Sequence, residues 1–361
     1  MASPSDLAAA QSENLSGPAA SSPPSDFTIF TSIRCDPILE TSSDNVGYSS
    51  RRRCKLYFPE LHRQRLLEAA AAFWPNVKFK ELESTASFET ALLDELDEKE
   101  RMHETYICPM KVKYSFTSTG RTHVELAPVP ALPLEALFPT TFRLPSLHST
   151  SSKKSRFGGP SLSSPYTPYP SNPPCSLSRR GSDDYFSIHS TSTSSTVSSS
   201  ASSRSGSSST HGPRTTLACT YEIWIDIQPT EQTAHTRFKT SSRAQYDAAR
   251  ARALPNPEDV TQEVLLWNPS GFITEGSLLT PYFYRNRRWV TPPVVDPQYG
   301  GGQAGTSRRW ALEQGLCEEA AVERRSIRVG ERVWVSNGVR GFGWGKIQGM
   351  KQSDEESERS F

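Results

Sequence analysis

Apolar and β-branched residues cluster or alternate in several short runs of the chain, and each such run predicts a strand. The runs cover residues 27–34, 110–116, 124–126, 221–227, 264–267 and 272–273. A Ser-Thr-Gly turn at 118–120 joins the second run to the third, which predicts a hairpin. An Asn-Pro-Ser-Gly turn at 268–271 separates the last two runs in the same way.

Apolar residues recur at helical spacing from 61 to 73, with Pro59 before them and Pro75 after them as boundary signals. Two further helical patches cover residues 242–253 and 307–315. Because strands and helices occur in both halves of the chain, the pattern predicts an α+β fold.

Composition divides the chain, because residues 144–214 are dominated by Ser, Thr and Pro. Such a tract cannot bury enough apolar surface to offset its ordering entropy, so it is predicted to be a disordered insertion. The length of 361 residues indicates about two domains. The predicted organisation is a disordered tail at 1–26, a small domain at 27–134, the insertion at 135–215, a large domain at 216–350 and a charged tail at 351–361.

Charge and cysteine content exclude several classes of function. Lys and Arg, 40 in all, nearly balance 39 Asp and Glu, so the chain lacks the basic field that favours nucleic acid or an anionic membrane. Six scattered cysteines form neither a CxxC pair nor a zinc-type spacing, so no disulfide framework or metal site is predicted. We expect a soluble, cytoplasmic protein that acts on a small molecule.

The segment that carries chemistry is residues 238–250 (FKTSSRAQYDAAR), which follow a strand and run into a helix. A lysine considered alone belongs on the surface, but a desolvated lysine can act as nucleophile and base near neutral pH. This run resembles class IV aminotransferases, and within them the aminodeoxychorismate lyases and their fungal relatives. The resemblance implies that Lys239 is the catalytic residue and holds pyridoxal 5'-phosphate.

A second motif, Thr-Glu-Gly-Ser at 274–277, follows in the order that the family shows. The resemblance implies that Glu275 pairs with the pyridine nitrogen of the cofactor, where a carboxylate keeps that nitrogen protonated. Considered alone, Glu275 could equally be a solvated residue at the end of a hairpin. The family has Asn a few residues later where this chain has Thr280 and Pro281, so substrate contacts there are expected to differ.

Residues 303–309 (QAGTSRR) resemble the family's phosphate loop, which opens a helix whose amides and positive end bind the cofactor phosphate. The resemblance assigns Gly305, Thr306 and Ser307 to this loop. Considered alone, the loop could be an ordinary helix start.

Two further segments resemble elements that contact the cofactor phosphate. Ser336 and Asn337 stand in a turn after a strand, although an Asn-Gly sequence by itself is a common turn. Residues 62–66 (HRQRL) match an HxxRL element, in which Arg65 would be a charge-assisted partner of the phosphate.

Taken together, the motifs imply a two-domain class IV aminotransferase fold, a small α/β domain and a larger strand-rich domain, interrupted by a long disordered Ser/Pro-rich insertion. They imply a pyridoxal-phosphate lyase that forms 4-aminobenzoate and pyruvate, and a homodimer. A branched-chain or D-amino-acid aminotransferase is the alternative, in which Lys239 would transfer a proton during transamination. A non-catalytic interaction module, with the insertion as its active part, is the third reading.

Overall fold

The computed structural model describes residues 27–102, 109–143 and 221–351. Within the first two ranges, three strands form an antiparallel sheet with the order β1-β2-β3. They are β1 (Thr28–Cys35), β2 (Met110–Thr117) and β3 (Thr122–Pro128). The first strand and the hairpin are therefore confirmed, and Gly120 takes the positive φ of 79° that the hairpin turn requires.

Two helices, α1 (Pro59–Phe73) and α2 (Thr85–Met102), belong to the same part of the fold. The first agrees with the predicted helix and begins at the predicted proline. The second was not predicted, because its buried face is only a narrow stripe of Phe88, Leu92 and Leu96 in an otherwise polar sequence. These side chains join the apolar face of the three-stranded sheet in one core.

A second, mixed sheet contains eight strands in the order β6-β5-β4-β11-β10-β7-β8-β9. Its strands are β4 (Tyr221–Ile225), β5 (Gln262–Trp267), β6 (Ile273–Gly276), β7 (Thr280–Arg285), β8 (Arg288–Thr291), β9 (Glu318–Glu319), β10 (Arg332–Asn337) and β11 (Gly341–Gly349). The predicted strand at 221–227 ends two residues early, because the Asp226 carboxylate accepts from the amide of Gln228 and turns the chain.

Four shorter helices accompany the second sheet or precede it. They are α3 (Leu134–Leu137), α4 (Ala234–Arg237), α5 (Ala244–Ala253) and α6 (Thr306–Glu313). The last two agree with the predicted helical patches. Ordered structure extends to residue 143, past the predicted start of the insertion at 135, because Phe142 is buried against Trp334 and its carbonyl accepts from the indole of Trp289. The rest of the insertion and most of both tails lie outside the described residues.

The two sheets meet where β1 contacts the segment between α4 and α5. The Phe30 amide donates to the Lys239 carbonyl at 3.0 Å, and the Ser241 amide donates to the Thr28 carbonyl at 2.9 Å. These bonds fix the backbone of Lys239 at the edge of the smaller sheet.

A buried arginine braces a second junction between the sheets. The Arg34 guanidinium donates to Asp36 at 2.6 Å and 2.8 Å, to the Pro130 carbonyl at 2.9 Å and to the Val339 carbonyl at 3.2 Å. The Arg34 amide also donates to the Gly338 carbonyl at 3.1 Å. Arg34 therefore holds the β10–β11 turn against β1.

Candidate active site

A cavity of about 330 Å³ lies where the two sheets meet, and residues of both sheets line it. All predicted site residues except Ser307 belong to its wall. These are Arg65, Lys239, Glu275, Gly305, Thr306, Ser336 and Asn337. Ser307 is fully buried beside that wall, and its Oγ is 2.8 Å from the Ser336 Oγ. The fold thus brings together residues that are more than 270 positions apart in the chain.

The Lys239 Nζ lies 5.0 Å from the centroid of the Phe30 ring. Among the described residues, no carboxylate is within ion-pair distance of it. Burial lowers the pKa of Lys239 well below its ordinary value, and the positive charges of Arg243 and Arg65 lower that pKa further. This shift favours the neutral, nucleophilic form of the amine.

Glu275, at the end of β6, is held by two donors. The Tyr246 hydroxyl donates to its Oε1 at 2.6 Å, and the Gln303 amide donates to its Oε2 at 3.2 Å. The Gln303 side chain in turn donates to the Tyr246 oxygen at 3.0 Å. Burial raises the pKa of Glu275 to about 7, although the hydrogen bond from Tyr246 acts in the opposite direction. A carboxyl group with this pKa can share a proton with a basic ring nitrogen.

A buried carboxylate next to β6 fixes the loop that follows Glu275. Glu263 accepts from the Ser277 amide at 2.8 Å, the Ser277 hydroxyl at 2.6 Å and the Leu278 amide at 3.0 Å. Arg250 donates to the Ser277 hydroxyl at 2.9 Å from the other side. This network makes the backbone of the cavity wall rigid.

The first turn of α6 forms the opposite part of the wall. Gly305 precedes the helix without a side-chain cap, so the first helical amides have no acceptor from a capping side chain. A Cβ at Gly305 would lie 3.1 Å from the Thr280 Oγ1, which leaves little room for a larger residue. Exposed amides at the positive end of a helix are suited to a phosphate group.

Arg65 reaches this region from α1. Its Nε is buried and has no hydrogen-bond partner within the described part of the chain, while its Nη2 donates to the Thr31 hydroxyl. Burial, together with the positive charge of the nearby Arg309, lowers the pKa of Arg65 to about 9. A buried cation with an unused donor matches an anionic group placed at the start of α6.

The Asn337 side chain has a different role from the phosphate contact that the turn motif implies. Its side-chain oxygen accepts from the amides of Val339 and Arg340 at 3.0 Å and 2.8 Å, and its side-chain nitrogen donates to the Leu278 carbonyl at 3.2 Å. The side chain is therefore occupied in shaping the β10–β11 turn, and its contribution to a ligand would come through that shape.

Several residues of the site were not predicted. Tyr246 lies within the 238–250 motif and Gln303 opens the phosphate loop, but neither carried a role of its own in the sequence. Lys111 occupies the polar face of β2, where alternation indicates only that a residue is not in the apolar core. Only the pairing of β1 with β2 shows that this face borders a cavity.

Within the described residues, no group of three His, Cys, Asp or Glu is arranged to hold a metal ion. No helix in the described ranges is both long enough and apolar enough to cross a bilayer.

Part of the chain is similar to known proteins. A family model described as amino-transferase class IV matches residues 176–343. The chain is 32% identical over 136 residues to the aminodeoxychorismate lyase of Saccharomyces cerevisiae, a match that covers 34% of this chain and 35% of that protein. It is 32% identical over 125 residues to a provisionally named aminodeoxychorismate lyase of Schizosaccharomyces pombe, covering 33% of this chain and 52% of that protein.

The match thus spans about a third and about half of the lengths of these two relatives. A solved structure from Mesorhizobium loti, provisionally named as an amino-acid aminotransferase, superposes with a TM-score of 0.51 at 15% identity. That match covers 89% of this chain and 100% of the other, and it shows the fold alone. Residues 176–343 thus match the class IV aminotransferase model, and the chain has a class IV aminotransferase fold.

Proposed function

We propose that this chain is a pyridoxal-phosphate-dependent lyase that converts 4-amino-4-deoxychorismate to 4-aminobenzoate and pyruvate. The observation that supports it most is the convergence of Lys239, Glu275 and Arg65 on one cavity beside the first turn of α6. The relatives named as aminodeoxychorismate lyases direct the choice of reaction within the family.

The residues fit the cofactor at three points. The neutral Lys239 amine would bind its aldehyde carbon, Glu275 would face its ring nitrogen, and Arg65 with the α6 amides would hold its phosphate. When bound, the cofactor supplies a conjugated ring that accepts electron density from the substrate carbon next to the amine.

Lys239 then carries the proton transfers of the reaction. With the cofactor bound, the Lys239 amine would remove the ring proton at the carbon that bears the substrate nitrogen. The bond from the neighbouring ring carbon to the enolpyruvyl oxygen breaks with its electron pair on oxygen, and the ring becomes aromatic. The Lys239 ammonium returns its proton to the methylene carbon of the leaving enolate, which yields pyruvate.

Two further cations in the cavity wall favour an anionic substrate. Lys111 and Arg340 both line the cavity. Among the described residues, neither has a carboxylate within ion-pair distance. Aminodeoxychorismate carries two carboxylates and can neutralise both cations. Leucine or alanine carries one carboxylate and would leave one of the two cations without an anionic partner.

The reaction is tested by omitting the amino acceptor. We expect purified protein to form equimolar 4-aminobenzoate and pyruvate from aminodeoxychorismate over many turnovers without an added keto acid, because elimination returns the cofactor unchanged. Leucine and D-alanine, each with a 2-oxo acid, serve as the comparison substrates. Transamination of either, without pyruvate from aminodeoxychorismate, would contradict the proposal and identify an aminotransferase.

We also expect Lys111→Gln to raise the KM for aminodeoxychorismate by about 10-fold to 100-fold with a smaller change in kcat, since a hydrogen bond to a charged group contributes about 1.5–3 kcal/mol. Lys113→Gln is the matched control, because Lys113 lies two residues along the same strand and pairs with Glu125 at 2.7 Å. Equal KM values for wild type and Lys111→Gln would exclude Lys111 as a substrate contact.

A further inference from the structure

A fully buried histidine connects two elements of the phosphate end of the site. The His62 Nδ1 is 2.6 Å from the Thr31 Oγ1, and its Nε2 is 3.3 Å from the Thr306 Oγ1. Thr31 belongs to β1, His62 to α1 and Thr306 to the first turn of α6. The imidazole therefore connects β1 to α6 through its two ring nitrogens.

Arg65 sets the direction of these hydrogen bonds, because a guanidinium only donates. Its Nη2 donates to the Thr31 oxygen and also lies 3.4 Å from the His62 Nδ1. Because Arg65 can only donate to Nδ1, Nδ1 carries no proton, and the Thr31 hydroxyl at 2.6 Å also donates to it. His62 Nδ1 must accept, so the proton of the neutral ring is on Nε2.

This tautomer determines the hydrogen bond that the other ring nitrogen, Nε2, makes. The Nε2 proton is donated to the Thr306 oxygen, which leaves the Thr306 hydroxyl proton free to turn away from His62. Thr306 lines the cavity, so this proton is available to a ligand there. The turn at Gly338 closes the remaining side, since a Cβ at that position would lie 2.6 Å from the Thr306 Oγ1 and 2.8 Å from the His62 Nε2.

We propose that His62 is a positioning residue for the cofactor phosphate. Because Arg65 donates on the Nδ1 side of the ring, His62 donates from Nε2 to Thr306, and the Thr306 hydroxyl proton is then directed to the phosphate. A phosphate dianion only accepts hydrogen bonds, and it therefore requires donors on every side. With the opposite tautomer, Thr306 would donate to Nε2 and direct a lone pair at the phosphate. The inference rests on the proposed function, because the ligand is the phosphate of the cofactor.

The electrostatic surroundings of His62 keep the imidazole neutral, as this relay requires. Burial lowers the pKa of His62 well below its ordinary value, and the positive charges of Arg65 and Arg309 lower that pKa further. An imidazolium would carry protons on both nitrogens and could not accept from Thr31.

The first test reads the tautomer directly. Long-range nitrogen–proton NMR of the full chain, labelled with ¹⁵N-histidine and measured without ligand near pH 7.5, should show His62 in the Nε2–H form. The His62 signals are assigned by their absence from His62→Gln. An Nδ1–H form or an imidazolium at this pH would overturn the proposal, whether or not the protein binds the cofactor.

The second test compares the dissociation constants of pyridoxal phosphate and pyridoxal, which lacks the phosphate. We expect His62→Phe to raise the dissociation constant of pyridoxal phosphate by about 10-fold and that of pyridoxal only slightly, since one charge-assisted hydrogen bond to the phosphate loses its orientation. His62→Gln should retain most of the preference for pyridoxal phosphate over pyridoxal, because the amide nitrogen of the glutamine can donate to Thr306. A general structural defect would weaken both ligands equally, and that result, like an unchanged ratio, would contradict the proposal.

If His62→Phe does not fold, Thr306→Val and Thr306→Ser carry the same comparison. The serine variant should retain the selectivity for the phosphorylated ligand. In the valine variant, the ratio of the dissociation constants of pyridoxal and pyridoxal phosphate should fall by about 10-fold. Equal selectivity in the two variants would mean that Thr306 does not donate to the phosphate. Failure of the wild-type chain to bind pyridoxal phosphate would instead refute the proposed function, and the tautomer measurement would still decide the polarity of the relay.

Discussion

Replacing Lys239 with alanine is expected to lower the turnover of aminodeoxychorismate by at least about 10⁴-fold, a loss typical of removing a residue that forms a covalent bond and transfers protons. The structure gives the reason, because Lys239 places a neutral amine in the cavity, and its pKa is lowered by burial and by neighbouring cations. Of the described residues that line the cavity, Lys111 is the other lysine. Its pKa is lowered by burial as well, so it is the amine to test as a substitute.

Two controls separate chemistry from charge. Lys239→Arg keeps a positive charge but cannot bind the cofactor aldehyde, so it should be as inactive as the alanine variant. Lys111→Gln should retain most of kcat. Turnover of Lys239→Ala within tenfold of wild type would show that another amine serves the reaction.

Replacing Glu275 with glutamine is expected to lower kcat by about 10²-fold to 10³-fold, in the range measured when one preorganised electrostatic contact is removed from an active site. The amide can still accept from the Tyr246 hydroxyl, so the local structure and cofactor binding should be largely retained. The amide of the glutamine cannot carry a negative charge, and the ring nitrogen of the cofactor would therefore lose the partner that keeps it protonated.

The comparison requires both kcat and the dissociation constant of the cofactor for wild type and Glu275→Gln. Tyr246→Phe is a useful companion, because it removes the 2.6 Å hydrogen bond but leaves the carboxylate. It should lower kcat less than Glu275→Gln does. Unchanged turnover in Glu275→Gln would exclude the proposed part of this carboxylate.

Local patterns predicted the elements that place the site, because their turns and periodicities are short-range properties. The hairpin of β2 and β3 and helix α1 follow from alternation, helical spacing and the prolines near 59 and 75. Helix α2 was not predicted, since three buried apolar residues among many charges give a weak periodic signal. The strand after 221 ends early because a side-chain hydrogen bond overrides the apolar pattern.

The order of the motifs identified residues of the site, but it could not assign the contacts that each residue makes. Ser307 and Ser336 are both fully buried and share a hydrogen bond at 2.8 Å, but only Ser336 of this pair belongs to the cavity wall. Lys111 becomes part of the wall only through the pairing of β1 with β2, which involves residues about 80 positions apart. Such contacts depend on tertiary packing, and a single sequence carries no local signal for them.

The claim that Lys239 holds the cofactor is tested most directly by trapping that bond. The protein, purified in the presence of pyridoxal phosphate, is reduced with borohydride, digested and mapped by mass spectrometry. The account predicts a single cofactor-modified peptide, which contains residues 238–250 with the label on Lys239, and no such peptide from Lys239→Arg. A label on Lys111 or on any other lysine, or a chain that remains unlabelled, would contradict it.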